Sequence, residues 1–445
     1  MNERFAAVVA IPVRDEAERI GVCLDALAAQ RDDDGRSLQP GSFEVVLLLN
    51  NCTDDTARAV QRLRARLPFR LSVIERELPA AMAHAGWARK LAMDAAAELV
   101  ADSGRPGVIL TTDADGRVGR RWLAANLAAV AGGADLVAGY VRADRAEHAQ
   151  LPASILRRGR LESRYEWLLA ELQARLDFEP HDPWPRHRIA SGASLAVTHA
   201  AYRQAGGLSP IPTGEDRALA EQVTNSGGRV RHSLAAQVAV SCRLDGRAAG
   251  GMAATIRQRA LIPELACDPA LEPALELRQR ALWRGALRRL HRQVLAQPLE
   301  RWAALLHLSP AAVGRAMGLE HFGAAWAVLE QASPILAYRP LSPRELPGQI
   351  AVAEWLLADL RGRYLLPDTL QHVDAIELGP VLVHDPRARR RGVDEQLRSL
   401  VAGERVVGFP GPMHQHYVTA GLDGLHGEGG HALEVDDAPV VDDLG

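Results

Sequence analysis

Asp113-Ala114-Asp115, two carboxylates flanking one small residue, is the segment of this chain best suited to chemistry. Hard oxygen ligands at this spacing suit Mg²⁺ or Mn²⁺, which keeps waters and binds through one or two carboxylates plus substrate phosphates. The plainer alternative is an Asx-turn closing a strand. Pro12-Val13-Arg14-Asp15-Glu16 combines a proline that stops a strand with acids that can cap or open a helix, in a loop able to hold a base and ribose. Asn50-Asn51-Cys52-Thr53-Asp54-Asp55 puts paired amides where a side-chain amide can hydrogen-bond a nucleobase edge, with Cys52 or Thr53 near a helix N-cap. Thr213-Gly214-Glu215-Asp216 reads as a helix opening, Thr213 its candidate N-cap, with a carboxylate that can act as general base toward an attacking hydroxyl. Adjacent helical residues point about 100° apart, so only one of the two acids can face a given crevice.

These segments need a scaffold that brings strand ends together. Short apolar runs at 5–11, 43–49, 71–74, 108–111 and 134–139 read as buried strands of a parallel sheet. Helix composition fills 16–30, 53–67, 85–101 and 120–131 between them. Strand and helix alternating at this spacing is the pattern of a doubly wound, mostly parallel, Rossmann-like α/β sheet. Ligands of such sheets sit at the carboxyl ends of the strands, and three of the segments above lie there. A long charged helix is expected at 151–176, then a Pro- and His-rich loop at 180–188, and a mainly helical region follows.

Composition narrows the function. With 445 residues, 47% hydrophobic and 24% charged, the chain has ample material for a core, and its net charge of −3 argues against a general nucleic-acid binder. Lys90 is the only lysine among 52 cationic residues, so arginine abundance alone does not signal phosphate binding. The four cysteines, Cys23, Cys52, Cys242 and Cys267, are too dispersed for a disulfide framework or a thiolate zinc site. No apolar stretch is long enough to span a bilayer, and the first strand lacks the flanks of a signal peptide, so a cytoplasmic protein without nucleic-acid partners is expected. The acidic, Gly-rich end 418–445 reads as disordered. His414-x-His416 and the arginines Arg387, Arg389, Arg390 and Arg391 read as solvated surface.

Taken together, P-V-R-D-E, N-N-C-T-D-D-T, H-A-G-W-A-R-K, T-D-A-D-G and G-E-D, in this order, resemble the family 2 glycosyltransferases of the GT-A fold over roughly residues 5–265. The resemblance implies a 1–265 transferase domain, and the composition beyond it implies a 266–417 helical region that shapes the acceptor side or mediates assembly, followed by the 418–445 tail. It implies inverting transfer from a nucleotide-diphosphate sugar to an acceptor hydroxyl (of a small molecule, a glycan or a lipid-linked acceptor), assisted by Mn²⁺ or Mg²⁺. By position, Pro12, Arg14 and Glu16 fall in the nucleotide loop, Asn50 at the base and Arg89 in the donor pocket. Asp113 and Asp115 fall on the ribose and metal, Asp216 on the general base, and Glu215 on a helix-capping or acceptor-orienting role.

Several departures qualify the match. Asp15 stands where the family commonly has asparagine, and Asn50-Asn51 replaces an acidic pair, which leaves a guanine donor open. Gln258-Arg259 is followed by alanine rather than the family's Gln-x-x-Arg-Trp, which argues against a processive polymer synthase. Ser241-Cys242-Arg243 carries no histidine to serve as third metal ligand, and His232 comes early. Arg89, Lys90 or Arg243 could share the charge of a leaving diphosphate. Trp184 could stack on an acceptor sugar or act as a Pro-Trp-Pro packing element. Two other functions stay open: a catalytically inactive nucleotide-sugar-binding protein, and a sugar-phosphate nucleotidyltransferase, although the latter's Gly-rich loop and phosphate-binding lysine after the first strand are absent.

Overall fold

The computed structural model describes residues 5–244, 246, 250–292 and 299–363. The expected tail at 418–445, His414-x-His416 and the arginines at 387–391 lie outside the described residues. The described residues fall into two units, the first ending at Arg344 and the second beginning at Glu345.

The first unit is built on an eight-stranded sheet: β1 Ala6–Val13, β2 Glu44–Asn50, β3 Arg70–Arg76, β4 Gly107–Thr111, β5 Arg117–Val118, β6 Leu136–Ala143, β7 Leu195–Thr198 and β8 Val230–Val240, in the order β3-β2-β1-β4-β7-β6-β8-β5. Strands β1 to β4 pair in parallel, while β7 runs antiparallel to both β4 and β6. All five expected strands are present and point the same way. Three were not expected. β5 has two residues and β7 four, too short for a periodic signal, and β8 carries Arg231, His232, Ser233 and Gln237 among its apolar residues.

Helices α1 Ile20–Ala28, α2 Thr56–Arg64, α3 Ala85–Asp102 and α4 Trp122–Ala131 alternate with the strands as the pattern predicts, α1 and α2 several residues shorter. Period-two alternation divides each strand between two cores. Val9, Ile11, Val45 and Leu47 meet Leu24 and Leu27 of α1 and Trp122 and Leu127 of α4 on one face. Val8, Ala10, Val46 and Leu48 meet Ala92, Met93 and Ala96 of α3 on the other. The sheet is therefore covered on both sides, and its carboxyl edge is left as the open end.

After β6 come α5 Arg145–His148 and the long α6 Ala153–Leu176, then, around β7 and β8, α7 His199–Gln204 and α8 Glu215–Asn225. Beyond β8 the described part of the first unit is helical: α9 Met252–Leu261, α10 Ala274–Arg292, α11 Leu299–Leu306, α12 Pro310–Met317 and α13 Phe322–Ala332. The last four pack Trp283, Leu287, Leu306, Val313, Trp326 and Leu329 into a core of their own. In the second unit the described part is chiefly α14 Leu346–Arg363. No helix among the described residues is long and apolar enough to cross a membrane.

Candidate functional site

A cavity of about 1850 Å³ opens at the carboxyl ends of β1, β2 and β4 and continues between α6, α10 and α13. Pro12, Arg14, Glu16, Asn50, Arg89, Asp113, Asp115, Glu215 and Asp216 all line it. Segments as far apart as Pro12 and Asp216 thus converge, as expected of ligand sites at strand ends.

The loops after β1 and β2 lock onto each other. Asp15 adopts a left-handed φ of 50° and accepts hydrogen bonds from the Thr53 N–H at 2.7 Å and the Asp54 N–H at 3.2 Å. It therefore braces the neighbouring loop instead of capping α1, whose N-cap is Arg19. The expected N-cap at Cys52 or Thr53 also moves: α2 starts after Asp55, and Asp54 accepts from the Thr56 N–H at 3.0 Å. The paired amides separate in role. Asn51, with φ 50°, exchanges two 3.0 Å hydrogen bonds with the backbone of Leu78, so it staples the β3 exit. Asn50 is buried, lines the cavity, and its Oδ1 has no hydrogen-bond partner. An orphaned acceptor of this kind is where a base edge would be read. Arg14 donates to the Ala83 carbonyl at 2.8 Å and fixes the loop ahead of α3.

Arg89 is the hub. It sits on the first turns of α3, only 5% exposed, and donates through Nε to Glu215 at 3.0 Å and through Nη2 to Asp113 at 2.7 Å. Its Nη1 donates to the Thr111 hydroxyl and to the Gly192 carbonyl, both at 2.9 Å. Burial alone would lower the pKa of the guanidinium, but the Asp113 and Glu215 carboxylates outweigh it and hold its pKa above the ordinary value. A Cβ at Gly192 would stand 2.5 Å from Arg89 Cζ, so only glycine lets the 191–194 turn approach. With four of its N–H groups engaged inside the protein, Arg89 organises the pocket rather than presenting free donors. Lys90 is likewise engaged, by Asp94 at 2.9 Å.

α8 opens at Glu215 as expected, but its N-cap is Gly214, at φ 80°, and not Thr213. Glu215 turns inward to Arg89 and makes no cap bond. Asp216 turns the other way: its Oδ2 accepts from the Gly192 N–H at 2.8 Å and its Oδ1 from the Arg217 N–H at 2.8 Å.

Glu16 and Asp115 face each other across Arg243. The guanidinium donates to Glu16 Oε2 at 2.9 Å, contacts its Oε1, and lies 3.2 Å from Asp115. Burial, then the adjoining Asp113 carboxylate, push Asp115 up to about 6 although Arg243 pulls it back. Among the described residues no three His, Cys, Asp or Glu side chains converge on a common ion position. Even so, the crowded carboxylates Asp113 and Asp115 on the cavity wall fit a hard cation that takes its other ligands from a diphosphate and water. The Arg243 pairing with Glu16 spans 227 positions and leaves no trace in local sequence. Glu147 holds that turn, accepting from Arg19 Nη1, Ser241 Oγ and the Cys242 N–H, each at 2.7 Å.

Trp184 resolves as a packing element: its ring meets Trp167 of α6 edge-on at 4.7 Å and does not line the cavity. His232 is held by Asp182, Nδ1 to Oδ2 at 2.8 Å, and so anchors the 180–188 loop to β8.

Comparison with known proteins adds one match of family and several of structure. Residues 8–180 match the family described as Glycosyl transferase family 2. No curated protein matches the chain. The mannosyltransferase PcManGT from Pyrobaculum calidifontis, solved with GDP-Man and Mn²⁺, is 18% identical over 74% of this chain and 86% of that one, with a TM-score of 0.40. S. aureus TarS 1–349, solved with UDP-GlcNAc, is 16% identical over 80% of this chain and 89% of that one, also with a TM-score of 0.40. Four of the five motifs that carry the resemblance fall inside the matched span, all but G-E-D at 214–216. Residues 8–180 are a glycosyl transferase family 2 domain, and the chain is an enzyme of the family 2 glycosyltransferase type.

Proposed function

We propose that the chain moves a sugar from a nucleoside-diphosphate sugar to an acceptor hydroxyl with inversion at the anomeric carbon. The supporting observation is the convergence of an orphaned amide (Asn50), a carboxylate pair (Asp113, Asp115) and a backbone-held carboxylate (Asp216) in one cavity at the strand ends.

In this reading Pro12, Arg14 and Glu16 shape the nucleotide loop, and Asn50 meets the base edge. Asp113 lies on the ribose side, and Asp113 and Asp115 would hold Mn²⁺ or Mg²⁺. The cation, when bound, stabilises negative charge on the leaving diphosphate. Arg243 stands beside Asp115 and supplies fixed positive charge to the same oxygens. As the acceptor oxygen bonds to the anomeric carbon and the diphosphate oxygen leaves, the acceptor proton passes to Asp216. Glu215 is taken by Arg89 and acts on the site through it, keeping α8 and Asp113 in register. The functional division follows the motifs: residues 1–265 for donor and base, 266–417 for the acceptor side or assembly, 418–445 as a tail.

Titration calorimetry with UDP and GDP, in Mn²⁺ and in EDTA, tests the donor half. Binding of one nucleotide should strengthen with metal, and Asp115→Ala should abolish the strengthening. Equal affinity with and without metal would remove the cation from the mechanism. A product retaining the donor's anomeric configuration, read by NMR, would remove the inversion.

A further inference from the structure

The cavity is larger than the roughly 300–1,000 Å³ of ordinary ligand sites, and the donor machinery occupies only its sheet end. The rest of its wall comes from α6, the 177–190 segment, α10 and α13. A ladder of alternating charges runs along that wall. Glu166 Oε2 lies 3.8 Å from Arg188, Arg188 Nη2 lies 3.5 Å from Glu272, Glu272 Oε2 lies 3.5 Å from Arg280, and Arg280 pairs closely with Glu330. All five residues line the cavity.

The first three links exceed the 2.7–3.2 Å of a well-formed hydrogen bond. Neighbouring pairs do not: Arg158 meets Glu162 at 2.9 Å and Arg259 meets it at 2.8 Å. Both oxygens of Glu166, Oε2 of Glu272 and an Nη of Arg188 are left without a hydrogen-bond partner. The Arg188 backbone N–H also faces Glu166 without closing a bond of normal geometry. Burial accordingly pushes the Glu166 carboxyl up to about 7. Long Glu and Arg side chains can present these atoms to a ligand by a change of rotamer.

We propose that this wall is the acceptor subsite, and that Glu166, Arg188 and Glu272 receive the hydroxyls of a neutral carbohydrate. The inference rests on the sugar-transfer reading and adds the acceptor's chemical class. Within the Glu166–Arg188–Glu272 group, three unspent carboxylate oxygens stand against one unspent guanidinium nitrogen and call for O–H donors, while Arg186 Nε and Arg288 Nε, also unspent on this wall, can donate to the oxygens of the same hydroxyls. A phosphate or carboxylate acceptor would meet repulsion from Glu166, Glu272 and Glu330. A lipid chain would leave all of these groups unpaired. Tyr140 of β6, which lines the cavity and lies edge-on to His187 of this wall at 5.7 Å, can offer its ring to a sugar. The chain itself ties the subsite to the base: Gly192, whose N–H donates to Asp216, follows Arg188 by four residues, at most ~14 Å of extended backbone, within the span of a small saccharide.

The test uses the full chain and saturation-transfer NMR with methyl α-mannoside and methyl α-glucoside, beside glycerol 3-phosphate and a detergent-solubilised short polyprenol. At least one glycoside should bind, and Glu166→Leu should weaken it about tenfold, the scale of one charge-assisted hydrogen bond. Nucleoside diphosphate affinity, measured on the same samples, should not change. If Glu166→Leu also loses the nucleotide through misfolding, the isosteric Glu166→Gln decides: glycoside binding weakened with nucleotide binding intact supports the subsite. Glycoside binding unchanged in Glu166→Gln, no glycoside binding to the wild type, or preferred binding of the phosphate or the polyprenol overturns it. Loss of nucleotide binding by the wild type, with glycoside binding still dependent on Glu166, would sink the donor reading and leave the carbohydrate site standing.

Discussion

Asp216→Asn is expected to bind donor as the wild type does and to lose about 10²-fold or more in turnover. The amide keeps the shape of the carboxylate, and its carbonyl oxygen can still accept from the Gly192 N–H that fixes Asp216 Oδ2 at 2.8 Å. What it cannot do is take a proton. The effect should therefore fall on kcat, with the donor KM nearly unchanged, because the lost interaction exists only as the acceptor hydroxyl attacks. Glu215→Gln makes the contrast. Glu215 is buried and its Oε1 is paired with Arg89, so its substitution should act through placement of the pocket and cost less in turnover. Steady-state rates of both variants with saturating donor separate the two roles. Wild-type turnover by Asp216→Asn would leave the inverting reaction without its base.

The parts of this fold legible in the sequence are those written in local periodicity. β1, β2 and β4 are unbroken apolar runs because both faces of the sheet are covered, and the motifs at their tips follow from that placement alone. What stayed illegible was set by partners far along the chain. β7 is four residues long and is a strand only because β4 and β6 flank it, and its reversed direction has no local signature. Asn50 and Asn51 are the same residue type side by side, yet a φ of 50° at Asn51 sends one amide to Leu78 and leaves the other facing the cavity. Asp15 looked like the start of a helix and instead braces the loop after β2. Arg89 and Arg243 stand out in the sequence beside the acids as candidates to share the charge of a leaving diphosphate. Their pairing with Asp113, Glu215, Glu16 and Asp115 is set in three dimensions and has no local signature.

Replacing that buried hub should produce the largest loss of stability. Arg89→Leu leaves Glu215, 6% exposed, and the inner oxygen of Asp113 without their counter-charge. Stranding a buried charge in this way costs about 3–5 kcal/mol. Glu215→Leu removes one carboxylate and leaves Arg89 still paired with Asp113 and bonded to Thr111 and Gly192, so its cost should be smaller. The double variant carries no stranded Glu215, and it should be more stable than the sum of the two losses predicts by about 1–3 kcal/mol. Urea unfolding of the four proteins in the cycle measures this coupling. The same variants should lose nucleoside diphosphate affinity in proportion, because Arg89 ties the β4 tip bearing Asp113 to the turn at Gly192 that holds Asp216. Strictly additive losses would mean that Arg89 and Glu215 contribute separately, and that the alignment of Asp113 with Asp216 has some other source.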